Sequence, residues 1–135
     1  MDIENPKIPP NSIDSEQSVL GGLLLHNDSW DNVVNIISSD DFYQASHRII
    51  YDAIVILLEH DKPADILTVK EQVIKTHDEE SIGGFAYLAQ IAENTPSVSN
   101  IDAYAKHVRE LSIFRQLIKI GRELADTAFH PKDIE

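Results

Sequence analysis

Apolar residues recur along most of this chain at steps of three and four, the spacing of one face of an α-helix. Ile13, Leu20, Leu23 and Leu24 share such a face and predict a first helix over Ile13–Leu25. Ser12 or Asp14 is placed to cap it, and Asp14 with Gln17 has capping-box spacing. Trp30, Val33, Val34 and Ile37 predict a second helix from about Ser29, broken by Ser38–Asp41. Phe42 and Tyr43 add aromatic packing ahead of a third helix, Ser46–Glu59, with Ile50, Ala53, Ile54 and Leu57 on one side. Lys62–Pro63 marks a turn. Thr68 with Glu71 reads as a capping box opening a fourth helix that reaches about Thr76. An acidic turn, His77–Glu80, and Ser81-Ile82-Gly83-Gly84 lead into a fifth helix carrying Phe85, Leu88, Ile91 and Ala92, stopped by Thr95–Pro96. No useful stretch alternates with period two, so an all-α fold is expected.

Asn100 is placed to cap a sixth helix, Ile101–Phe129, free of proline until Pro131. At 1.5 Å per residue it would be roughly 43 Å long, against ~30 Å for the diameter of a small domain, so part of it is expected to project. Its first half has one stripe, Tyr104, Val108 and Leu111. Its second half carries Ile113, Phe114, Leu117, Ile118, Ile120 and Leu124, too many for one side. Such an excess needs a cover, and contiguous exposed apolar surface marks an interface. Gly21–Gly22 interrupts the first helix where alanine would be more favourable by roughly 1 kcal/mol per residue, which points to close approach of a neighbouring helix. The domain plan is thus a flexible tail over residues 1–11, kept out of helix by Pro6, Pro9 and Pro10, and a helical body over 12–99. A long helix over 100–130 and a truncated end over 131–135 follow.

Composition narrows the function. A length of 135 residues fits one domain, and 42% hydrophobic with 25% charged residues is globular rather than disordered. There is no cysteine, which excludes disulfides, thiolate metal sites and a thiol nucleophile. The net charge is −12, and it is uneven: residues 1–100 hold 17 acids and 5 Lys or Arg, whereas 101–135 hold 6 of each. An acidic body repels phosphate backbones, so direct nucleic-acid binding is not expected. No apolar run approaches the roughly 18 residues of a membrane span, and the polar N-terminus has no signal-like apolar core, so a cytoplasmic protein without a membrane partner is expected. Neither G-x-x-x-x-G-K-[ST] nor G-x-G-x-x-G occurs, and no His pair has H-x-x-x-H spacing. Asp40–Asp41 and Asp78-Glu79-Glu80 read as solvated turns rather than paired carboxylates. No catalytic, cofactor-binding or metal-ligating residue is expected.

Several spaced blocks carry a resemblance. Pro9-Pro10-Asn11-Ser12-Ile13-Asp14-Ser15-Glu16-Gln17-Ser18-Val19-Leu20-Gly21-Gly22 resembles the opening signature of DnaB-type bacterial replicative helicases. Asp40-Asp41-Phe42-Tyr43, His47-Arg48-Ile49-Ile50, Ile82 to Leu88, Asn94-Thr95-Pro96-Ser97, Asn100-Ile101, Ala103-Tyr104-Ala105 and Val108-Arg109-Glu110 continue it in order. The resemblance covers about residues 8–130. It implies a compact bundle of about six helices whose long last helix is the first arm of a protruding hairpin. It also implies a collar domain of a homohexameric ATP-dependent helicase that dimerises and docks a DnaG-type primase, with a helicase loader as a further candidate partner. ATP and Mg would belong to the parent's ATPase domain, absent from this chain, and no cofactor to this segment. The interface residues so implied are Leu111, Phe114, Leu117, Ile118 and Leu124, with Phe85 either core or a second dimer contact. The chain is accordingly expected to be an isolated N-terminal domain without catalysis of its own. Two other classes compete: a free-standing helical nucleic-acid-binding regulator, suggested by the short helices between Thr68 and Asn94, and a small helical enzyme with an unrecognised site.

Overall fold

The helix with the most buried residues becomes the centre of the fold. In the computed structural model, which describes residues 8–95 and 97–131, α1 (Ile13–Leu25) packs against α3 (Ala45–Glu59), α5 (Phe85–Glu93) and α6 (Ile101–Phe129). The short α2 (Trp30–Val33) also rests on α6, while α4 (Ile66–Val73) packs on α3 and α5. No strand occurs among the described residues. Val19, Leu20 and Leu23 of α1 meet Ile50 and Ile54 of α3, Leu88 and Ile91 of α5, and Ile101, Ala105 and Val108 of α6 in one buried core. The fold is therefore all-α, with a long C-terminal helix, as the apolar spacing predicts.

The glycine pair works by close approach. A Cβ on Gly21 would land within the Thr95 hydroxyl and 2.7 Å from the Ile91 carbonyl oxygen at the end of α5. A Cβ on Gly22 would lie 2.8 Å from Ile101 Cδ1 at the start of α6. The two missing side chains let α1 seat against both helices at once.

Helix starts are where sequence and structure part. Ser12 caps α1, its Oγ accepting from the Ser15 amide at 3.2 Å, and Asp14 and Gln17 form no capping box. α4 begins at Ile66, not at Thr68. Asp65 is its N-cap, accepting from the Thr68 amide at 2.8 Å, while Thr68 Oγ1 accepts from the Asp65 amide at 2.8 Å. Thr68 is thus the far half of the box, not its opening residue. Replacing Asp65 by Ala is expected to cost about 1 kcal/mol in urea unfolding, and Glu71→Ala close to nothing. α2 is only four residues long, and Val34 points outward. Asp31, Asn32 and Asn35 are poor helix formers, and Ile37 reaches the core from the turn that follows.

The expected flexible tail is corrected in part. Residues 1–7 and 132–135 lie outside the described residues. Pro9 and Pro10 are half-buried, and the Pro10 carbonyl accepts from Arg115 Nη1 at 2.8 Å, so this stretch is fastened to α6. Asp41 is a second correction. Asp40 is exposed, as a solvated turn requires, but Asp41 is 2% exposed in the 3-10 turn Ser39–Asp41. It is buried because three donors satisfy its carboxylate.

Candidate interaction surface

α6 is built in two parts. Ile101, Ala105, Val108 and Ser112 are buried and mark the stripe that faces the body. From Ile113 outward no residue of α6 is buried. Its apolar residues there form a second stripe, Ile113, Leu117, Ile120 and Leu124, spaced by four, three and four. At 3.6 residues per turn this stripe lies about 120° around the helix from the body-facing one. Leu117 is 58% and Leu124 67% exposed, so the side that carries the apolar surface is turned away from the body. The flank opposite is charged: Arg115, Lys119, Arg122 and Asp126 continue the direction of the body-facing stripe.

The root of this arm is polar. Asp41 Oδ1 accepts from Arg109 Nη1 at 2.9 Å and from Ser112 Oγ at 2.8 Å, while Oδ2 accepts from the Ser38 amide at 2.9 Å. Arg115 Nη2 donates to the Asp41 carbonyl at 2.6 Å, and its guanidinium lies 5.5 Å from the Tyr43 ring centre. The loop that receives these bonds is held from its other side. Glu16, 1% exposed, accepts from the Tyr43 amide at 2.7 Å and from His47 Nδ1 at 2.7 Å. His47 Nε2 lies 2.7 Å from the Tyr87 hydroxyl, which Gln17 also reaches at 3.0 Å. A carboxylate only accepts, so the His47 ring donates to Glu16 from Nδ1. Arg48 Nη1 donates to the Phe42 and Tyr43 carbonyls at 2.7 and 3.0 Å.

The expected interface residues separate into two places. Leu111 is half-buried at the root, while Phe114, Leu117, Ile118 and Leu124 are exposed along the arm. Leu117 and Leu124 lie on the outer stripe; Phe114 lies about 90° and Ile118 about 130° around the helix from it, Ile118 beside Arg115, Lys119 and Arg122. Phe85 is elsewhere, at the first turn of α5, half-buried against the core with the Lys70 ammonium 4.1 Å from its ring centre. Ile113 and Ile120, part of the apolar excess but not among the interface residues that the resemblance implies, belong to the stripe. A cleft of about 270 Å³ where Ile36 meets Ile113 and Phe114 extends the stripe back to the body.

Comparison with known proteins decides which family the chain belongs to. The model of the DnaB-like helicase N-terminal domain matches residues 8–110. The chain belongs to that family. It is 42% identical to the replicative DNA helicase DnaB of Pasteurella multocida over 98% of its own length and 28% of the relative's. It is 36% identical to the replicative DNA helicase DnaC of Bacillus subtilis, again over 98% of this chain and 29% of the relative. The chain therefore spans less than a third of the length of these relatives. In three dimensions it is similar to the N-terminal domain of DnaB helicase from Mycobacterium tuberculosis. The TM-score is 0.87 and the identity 34%, covering 90% of this chain and 88% of that one. It is also similar to the N-terminal domain of DnaB helicase from Helicobacter pylori, a structure described together with its interactions with primase. There the TM-score is 0.74 and the identity 26%, covering 87% and 91% of the two chains. The family match ends at Glu110, so it takes in Arg109 and leaves out Ser112, Arg115 and the apolar arm. No group of three metal-ligating side chains occurs among the described residues, and no helix there is long and apolar enough to cross a membrane.

Proposed function

We propose that this chain is the assembly and partner-docking domain of a replicative DNA helicase. It would pair with further copies of itself in a hexameric, ATP-dependent cytoplasmic enzyme, and it would present a docking surface to a DnaG-type primase. The observation that carries the reading is the arm of α6, whose outer stripe of Ile113, Leu117, Ile120 and Leu124 is turned away from its own body. Exposed contiguous apolar surface on a folded chain of net charge −12 favours a protein neighbour over a nucleic acid. The seam repeats at coiled-coil spacing, which suits a second helix laid along it as the other arm of a hairpin. Unwinding, ATP and Mg belong in this reading to the remainder of the longer relatives, and a loader would be a further partner of the whole helicase.

Sedimentation of the chain with and without the helicase-binding domain of a primase tests it. Leu117→Asp with Leu124→Asp is expected to weaken self-association and primase binding at least tenfold while far-ultraviolet helicity stays intact. Unchanged association in that variant would remove the arm from the docking surface.

A further inference from the structure

The outer part of α6 is a lever: beyond Arg115 every one of its residues is exposed. From Arg115 to Phe129 it extends about 21 Å, so a rotation of about 10° at the root moves the tip by about 3.5 Å. A displacement of that size is enough to misplace side chains that pack into a facing helix, where axes sit only 8–10 Å apart. Something must therefore fix the direction of the arm, and apolar contact, which is non-directional, suits that task poorly.

The last side chains of α6 to hydrogen-bond to the body are Arg109, Ser112 and Arg115, and all three bond to one residue of the Ser39–Asp41 turn. Arg109 and Ser112 share the Asp41 carboxylate and Arg115 takes its carbonyl, so donors from two successive turns of α6 converge on Asp41. Hydrogen bonds are directional, and three from one face of a helix constrain its rotation as well as its distance. The turn itself is immobilised by Ser38 on the Asp41 carboxylate, Glu16 on the Tyr43 amide and Arg48 on the Phe42 carbonyl. Beyond Arg115, the side-chain hydrogen bonds of α6 among the described residues stay within the helix.

We propose that Asp41 is the fulcrum of the arm: a positioning residue that, through Arg109, Ser112 and Arg115, sets the angle at which α6 leaves the body. It rests on the assembly reading only for its consequence, that the arm presents its stripe to a neighbour in one orientation. The angle itself is a property of the single chain and is measured without any partner, so failure here and failure of the assembly reading are distinguishable.

The sequence contains no cysteine, which makes a labelling test clean. Spin labels at Asp52→Cys on α3 and Ala125→Cys on α6, both exposed positions, report the angle as a distance distribution. The labelled chain is diluted into unlabelled chain so that only intramolecular distances contribute. One narrow peak is expected for this chain, and at least a doubling of its width in Arg109→Leu with Ser112→Ala. Lys119→Gln, one turn further out, should leave the width unchanged. A purely stabilising role would lower the unfolding midpoint of the double variant and leave the width of its folded population as it was; that result overturns the proposal, as does a broad peak in the parent chain. Should the double variant lose its helical circular dichroism, Arg115→Gln, which removes bonds only to main-chain carbonyls, replaces it, and an unchanged width there is equally decisive.

Discussion

Glu16→Leu is expected to lower unfolding stability by about 3–5 kcal/mol, because each buried donor left without its acceptor costs about 1–3 kcal/mol. The carboxylate is 1% exposed and accepts from His47 Nδ1, the Tyr43 amide and, at 3.4 Å, the Gln44 amide. Leucine fills a similar volume but accepts nothing. A ring nitrogen and two main-chain N–H groups would then lose their acceptor beside a fully buried imidazole. The imidazole would also lose the bond that orients it toward Tyr87, which it stacks on with ring planes 3° apart. For a domain of this size the loss corresponds to a melting temperature lower by about 15 °C. Glu16→Gln keeps one acceptor oxygen and should cost about half as much. Urea titrations of the three chains give the comparison, and a Leu variant within 1 kcal/mol of the parent would show that the network is not worth its burial.

The second large effect has a built-in control of opposite sign. Gly21→Ala is expected to destabilise by about 2 kcal/mol, even though alanine favours a helix over glycine by about 1 kcal/mol. The new methyl would meet the Thr95 hydroxyl and the Ile91 carbonyl oxygen, and the latter is main chain that moves only if the end of α5 moves. Thr95 Oγ1 already donates to that same carbonyl at 2.9 Å, so turning the hydroxyl away gives up a bond. Gly121 on the arm has nothing within 4 Å of its would-be Cβ. Gly121→Ala should therefore show only the propensity term and raise helicity, with a gain of about 0.5–1 kcal/mol. Equal signs for the two substitutions in thermal unfolding would contradict the packing account of Gly21.

How much of this was legible in the sequence differs by element. The limits of α1 and α6 and the buried face of α3 follow from apolar spacing, because each has enough turns for the period to show. The start of α4 does not, because Thr68-x-x-Glu71 fits the same capping template as Asp65-x-x-Thr68 and only the backbone chooses between them. The polar network at the root has no local signature, since its partners are 31 residues apart for Glu16 and His47 and 71 apart for Asp41 and Ser112. A weaker signal was present. Glu16 precedes Val19, Leu20 and Leu23 on the apolar face of α1, His47 precedes Ile50, Tyr51 and Ile54 on that of α3, and Ser112 follows Ala105 and Val108 on that of α6. A polar residue in an apolar stripe is buried with a partner or it is an interruption, and here all three have partners. Asp41 sits in a short turn and gave no such hint. The face of the outer arm was legible only as an excess of apolar residues, because spacing does not say which of them the body covers, and it is their exposure in the fold that sets Ile113, Leu117, Ile120 and Leu124 apart as an outward stripe.

The separation of the two stripes on α6 also bears on the thermodynamics of association. The inner turns are held by tertiary packing, whereas the outer ones rely on intrahelical bonds and local propensity, which are marginal in water for a segment of this length. Amide protection should accordingly fall along the helix from Ser112 toward Phe129, with the outermost turns opening independently of the body for a small fraction of the time. Part of the free energy of any docking event then goes into holding those turns helical. The heat-capacity change on binding should exceed what rigid surfaces of the same area would give. Affinity at this surface is in that sense coupled to helix formation, and a substitution that touches no partner, such as Gly121→Ala, would tighten binding by making the arm more often complete before the partner arrives.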